Sequence, residues 1–146
     1  MRIDYLIVGA FLSFIAAGLH IVVIVGGPDW YRTFGAGEAM ANMAEAGLFK
    51  PTLITACIAA ILTIWGCYAL SGAGRIVKLP LLKLALIAIT VIYLVRGLAG
   101  FLAVFYPNNP AALQNSSSFW VWSSLVCLCF GLVHLKGLLD RWSEIG

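Results

Sequence analysis

The stretch PLLKLALIAITVIYLVRGLAGFLAVF, residues 80–105, decides the fold. It opens at a proline, which suits a first helical position, and it stops short of Pro107. As a helix it would reach about 39 Å, more than the roughly 30 Å of a bilayer's hydrocarbon core. A helix on a soluble domain keeps a polar face, whereas here Leu, Ile, Val, Ala and Phe recur around the whole circumference. Two charges interrupt it: Lys83 near the start, and Arg96 well inside. The stretch reads as a membrane-spanning helix.

Three further segments read the same way, at about 5–26, 51–71 and 119–139. Composition agrees: 62% of the residues are hydrophobic and 10% are charged, with a mean hydropathy of +1.01. A soluble domain carries about a quarter charged residues to cover its surface, so lipid is the fitting solvent. The expected fold is all-α, a four-transmembrane-helix bundle, with residues 1–146 forming a single transmembrane domain. The first segment exceeds the ~7–15-residue core of a signal peptide and is expected to be retained as a span.

Basic residues set the expected orientation. Arg2, Arg75, Lys78, Lys83, Lys136 and Arg141 fall on the side of the termini and the second loop, against Arg32 and Lys50 on the other. The positive-inside rule then places both termini in the cytoplasm. The expected location is the cell (inner) membrane of a bacterium, crossed four times. No Lys/Arg run or basic helical face points to nucleic acid.

The first loop, Gly27 to Lys50, is long. Asp29-Trp30-Tyr31-Arg32 reads as an interfacial belt. Beyond it, Glu38, Asn42 and Glu45 share one helical face, opposite Met40, Met43, Ala44 and Gly47. That pattern predicts a short amphipathic helix on the membrane surface or over the bundle mouth. Gly72-Ala73-Gly74 marks the second turn, and Pro107 with Asn108-Asn109-Pro110 the third.

Each span carries a stripe of small or polar residues, the kind of surface through which membrane helices pack. The stripes are Gly9, Ser13, Ala16 and His20; Thr52, Thr55, Ala59, Thr63 and Gly66; Tyr93, Arg96, Gly97 and Gly100; and Ser124, Cys127, Gly131 and His134. Arg96 stands apart. It lies about 13 Å inside the outer end of its span, where an arginine costs roughly 2.5–3.5 kcal/mol on insertion scales. No Asp or Glu occurs in any span, so the first loop is the expected source of a counter-ion, with Glu38 beside Gly35-Ala36-Gly37 the candidate. His20 lies at comparable depth and offers a hydrogen-bond acceptor. The expected ligand-binding set is Arg96, His20, Glu38, Tyr31, Tyr93 and Trp120, lining an outward-facing pocket.

Cys57, Cys67, Cys127 and Cys129 lie in hydrophobic segments with no CxxC pair. Neither a metal nor a cofactor is expected, and the quinone-linked four-helix thiol oxidoreductases, which need a vicinal redox pair, are disfavoured. In architecture the chain resembles the small multidrug exporters and the fluoride channels, which act as oligomers. The acidic first-span residue of those exporters is absent. The Arg-rich helix motif of glutathione-transferase-like membrane enzymes is also missing, and no span holds a nucleophile–base pair, so no catalytic residue is assigned. The expectation is binding, with transport as its extension, of an amphiphilic or anionic small molecule or lipid. The alternative is an accessory or structural subunit of a larger membrane complex, with a small membrane-embedded enzyme the less favoured third reading. Candidate partners are therefore the bilayer, a lipid, quinone-like or anionic small-molecule ligand, and a second copy or a partner membrane subunit.

Overall fold

The computed structural model describes residues 3–106, 108, 113 and 115–145, which are helical throughout their ordered elements, with no strand among them. In chain order the helices are α1 (Tyr5–Gly26), α2 (Pro28–Thr33), α3 (Glu38–Glu45), α4 (Lys50–Gly72), α5 (Leu82–Phe105) and α6 (Ser117–Asp140). Among them α1, α4, α5 and α6 are long and apolar enough to cross a membrane. Arg2 and most of the turn read at Pro107 to Pro110 lie outside the described residues.

Local chemistry sets the ends. The Asp4 carboxylate accepts from the Leu6 N–H at 3.1 Å and caps α1, and the Ser116 hydroxyl accepts from the Phe119 N–H at 3.2 Å to cap α6. Pro28 starts α2 and Pro51 lies in the first turn of α4. The start of α5 is later than the sequence predicts, at Leu82 rather than Pro80. Leu81 adopts a left-handed conformation (φ 51°), and the residues before it are already committed elsewhere. The Leu79 N–H donates to Ser71 Oγ at 3.0 Å, and the Pro80 carbonyl accepts from Tyr68 Oη at 3.2 Å.

In the bundle α1 packs most closely on α4 and α5 on α6, while α1–α6 and α4–α5 contacts close the ring. Close approach needs glycine at the crossings. A Cβ on Gly97 would stand 2.9 Å from the Leu128 backbone nitrogen, and one on Gly137 2.7 Å from that of Leu6. Several buried positions along the helices are small or polar, among them Ser13, Thr55, Ala59, Thr90 and Ser124. Large apolar side chains such as Phe11, Ile15, Leu98 and Trp122 face outward, more than half exposed. So apolar an exterior is unlike that of a water-soluble domain and suits a lipid surround. Thr63 departs from its expected place: it is exposed, and its hydroxyl is satisfied by the Ala59 carbonyl at 2.8 Å, one turn back.

The main core lies toward the termini, built on Leu6, Leu62, Leu86, Ile89, Tyr93 and Leu138. At the other end the first loop forms a cap rather than a single surface helix. Its α2 and α3 fold against each other, and Tyr31 and Ala41 pack beneath them on Val23. Tyr31 is thus buried, 1% exposed, and not at an interfacial belt. It is turned inward because residues 28–33 coil into a helix.

Candidate functional site

The cap roofs a cavity of about 510 Å³, within the range that holds small-molecule ligands. Every helix contributes to it. His20 and Val23 come from α1, Tyr31 from α2, Met40 from α3, Thr55 from α4, Arg96 from α5 and Phe119 from α6. The walls are mainly apolar. A larger space of about 780 Å³ exists at the opposite end, but its lining charges are largely engaged with one another. There Arg141 binds Asp4 at 2.7 Å and Glu144 at 2.9 Å, and Lys136 binds Asp140.

Of the six residues expected to form a site, the structure brings His20, Tyr31 and Arg96 together on the cavity wall. Glu38, Tyr93 and Trp120 lie outside that wall. Glu38 does not supply the counter-ion expected for Arg96. It is engaged by Arg32, whose Nε donates to both carboxylate oxygens at 3.1 Å and whose Nη2 donates to Oε1 at 3.0 Å. The reason lies in the turn. Gly35 (φ 79°) and Gly37 (φ 88°) double the chain back, so α3 starts beside the end of α2 rather than descending into the bundle. Glu45 at 2.8 Å, Asp29 at 3.3 Å and Asn42 complete a knot around Arg32 on the outer surface of the cap. Glu38 first, then Glu45, raise the Arg32 guanidinium further above its already high ordinary value.

Tyr93 belongs to the bundle interior. Its hydroxyl shares a 3.1 Å hydrogen bond with that of Ser13, and its ring packs on Trp65, Phe130 and His134. Trp120 lies on the far side of Arg96, its ring 5.3 Å from the guanidinium carbon, and helps line a separate depression of about 480 Å³ with Gly100 and Ala103. Arg96 therefore stands between two spaces.

The polar groups of the cavity are under-used. Arg96 Nη2 makes one long bond, 3.5 Å, to Ser123 Oγ, while its Nη1 is buried with no hydrogen-bond partner among the described residues. Tyr31 Oη is likewise buried and unpartnered among them. Leaving such a group unsatisfied costs about 1–3 kcal/mol, more when it is charged. His20 Nδ1 sits 2.7 Å from the Ala16 carbonyl oxygen. A carbonyl only accepts, so Nδ1 carries the hydrogen and the neutral ring keeps its lone pair on Nε2. Side chains that carry two donors and an acceptor therefore line one apolar-walled space, with Arg96 Nη1 itself packed beside Gly100.

Sequence reasoning missed what holds the roof. Asn115 Nδ2 donates to the Gly35 carbonyl at 3.1 Å, and the Phe119 ring lies against Gly35 where a side chain would stand. The Phe34-Gly35-Ala36 lining was legible only as a glycine turn. The four cysteines are free thiols, and no cluster of His, Cys, Asp and Glu among the described residues has the makings of a metal site. No known protein family, curated protein or solved structure matches this chain.

Proposed function

We propose that this chain is a small multi-pass membrane protein, cap outward and termini cytoplasmic, that binds an amphiphilic or anionic small molecule or lipid beneath the cap. One observation carries the reading: Arg96 Nη1 and Tyr31 Oη are both buried and unpartnered among the described residues, in side chains that line one cavity. A headgroup that drew out either donor would satisfy a costly group, and the apolar wall would take the ligand's hydrocarbon part. An arginine at this depth favours an anion, or the negative end of a dipole.

The test is thermal unfolding of the purified full chain in non-ionic detergent, with and without a sulfonate-headed single-chain amphiphile, decanesulfonate. Native mass spectrometry of the same samples reads stoichiometry. Protection of the wild type, together with its loss in a still-folded Arg96→Gln variant, supports the reading. If Arg96→Gln lowers the melting temperature and decanesulfonate protects neither protein, Arg96 is a packing residue and the reading fails.

A further inference from the structure

The turn between α4 and α5 holds apolar side chains outward on a fastened backbone. Residues 73–81 read AGRIVKLPL, with Lys83 just beyond, and the stretch contains no acidic residue. Ser71 Oγ grips it from the end of α4, donating to the Val77 carbonyl at 2.9 Å and accepting from the Leu79 N–H at 3.0 Å. Tyr68 Oη donates to the Pro80 carbonyl at 3.2 Å. So held, the turn presents Val77 at 80% exposure and Leu81 at 75%. Leu81 does so in left-handed backbone (φ 51°), which a leucine adopts only at a cost. A turn facing water alone gains nothing from either feature. Charge surrounds this apolar tip. Arg75 and Lys78 flank Ile76 and Val77, and all four are exposed. Arg75 is paired with no carboxylate among the described residues. The nearby carboxylates Asp4, Asp140 and Glu144 are held by Arg141 and Lys136. Lys83 Nζ lies 3.9 Å from the centre of the Trp142 ring and donates to the Trp142 carbonyl at 3.1 Å, an ammonium beside an indole as at a headgroup boundary.

We infer that the α4–α5 turn is a docking surface for anionic phospholipid. Phosphates of the leaflet on the side of the termini meet Arg75, Lys78 and Lys83, while Val77 and Leu81 enter the acyl boundary between them. This rests on the membrane placement proposed above and is independent of the cavity beneath the cap. The two halves of the surface need each other. Apolar side chains alone would take any lipid, and basic ones alone would take any anion from solution. Together at the tip of one fastened turn they select a lipid with a negative headgroup. The strained Leu81 then has a use, because its backbone conformation is what turns an apolar side chain toward the acyl chains.

The test is native mass spectrometry of the full chain released from nanodiscs of equimolar dioleoylphosphatidylglycerol and dioleoylphosphatidylcholine. It reads the headgroup ratio of the lipids that stay bound. The wild type should retain the glycerol lipid in preference. Each basic residue near an anionic surface is worth roughly a fivefold preference, so Arg75→Gln should cut the retained ratio about fivefold and Arg75→Gln with Lys78→Gln further. Lys50→Gln removes a charge at the opposite end and should leave the ratio unchanged. Leu81→Gly keeps the left-handed turn without steric cost and removes only the side chain, so retention of the glycerol lipid should fall several-fold in a folded protein. No headgroup preference in the wild type, or one that Lys50→Gln lowers as much as Arg75→Gln does, overturns the inference and leaves the membrane placement standing. Full retention in Leu81→Gly also overturns it, because charge alone then accounts for the binding. A chain that does not enter the nanodiscs overturns the membrane placement as well. If the double variant does not fold, Arg75→Gln and Leu81→Gly decide between them.

Discussion

Replacing Gly137 by alanine should loosen the contact between the first and last spans. The new Cβ would stand 2.7 Å from the Leu6 backbone nitrogen and 2.8 Å from its Cγ, where ordinary contact begins at 3.4 Å. Backbone cannot rotate away as a side chain can, so α1 and α6 must part by about 0.7 Å. Overpacking of this kind costs about 1–3 kcal/mol. The same nitrogen donates to the Asp4 cap, whose loss would add about 1 kcal/mol. Alanine returns at most about 1 kcal/mol through its better helix propensity. The net expectation is destabilisation by about 1–3 kcal/mol. Gly18→Ala is the control: a Cβ there meets nothing within 4 Å, so only the propensity gain remains. Unfolding of both variants in mixed micelles of increasing dodecyl sulfate, followed by circular dichroism, measures the difference. Gly137→Ala as stable as Gly18→Ala would refute the close α1–α6 approach.

A double-mutant cycle on Ser13→Ala and Tyr93→Phe should return a coupling of about 0.6 kcal/mol, the usual size for such bonds between membrane helices, in the same micelle titration. Additivity of the two changes would show that the 3.1 Å bond contributes nothing. Asn115→Ala should free the Gly35 carbonyl and speed amide exchange across the cap at 34–46, with the α5–α6 contact region unaffected; unchanged cap exchange would mean the latch is not holding. The Arg32 knot should be insensitive to alkali. A basic group whose folded pKa is raised contributes in full below its unfolded value and loses that contribution only above it, and arginine's unfolded value already lies far above the neutral range. Cap exchange, corrected for its intrinsic base catalysis, should therefore stay level from pH 7 to 10, and a fall in protection within that window would count against the knot.

The number and approximate extent of the four long apolar helices were legible because long apolar runs bounded by proline and glycine have few alternatives. Inward stripes were readable at most positions, as Gly9, Thr55 and Ser124 show, but Thr63 misled. A threonine can bury its hydroxyl on its own helix, so polarity alone does not fix its direction. The depth of Arg96 and its company with His20 followed from counting turns along each helix. Glu38 did not, because glycine permits several chain paths and sequence carries no sign of which one is taken. Arg32 sat six residues away and, being half solvated, could pair with a carboxylate at little desolvation cost, an advantage no periodicity displays. The Asn115–Gly35 latch joins residues 80 apart in sequence, beyond the reach of any local pattern.

That latch also orders the protein's making. The roof of the cavity is encoded in the first third of the chain, but one of the bonds that fastens it comes from the approach to the last helix. During synthesis the cap and helices α1, α4 and α5 emerge before residue 115 exists, so this one bond can close only after the approach to α6 has been made.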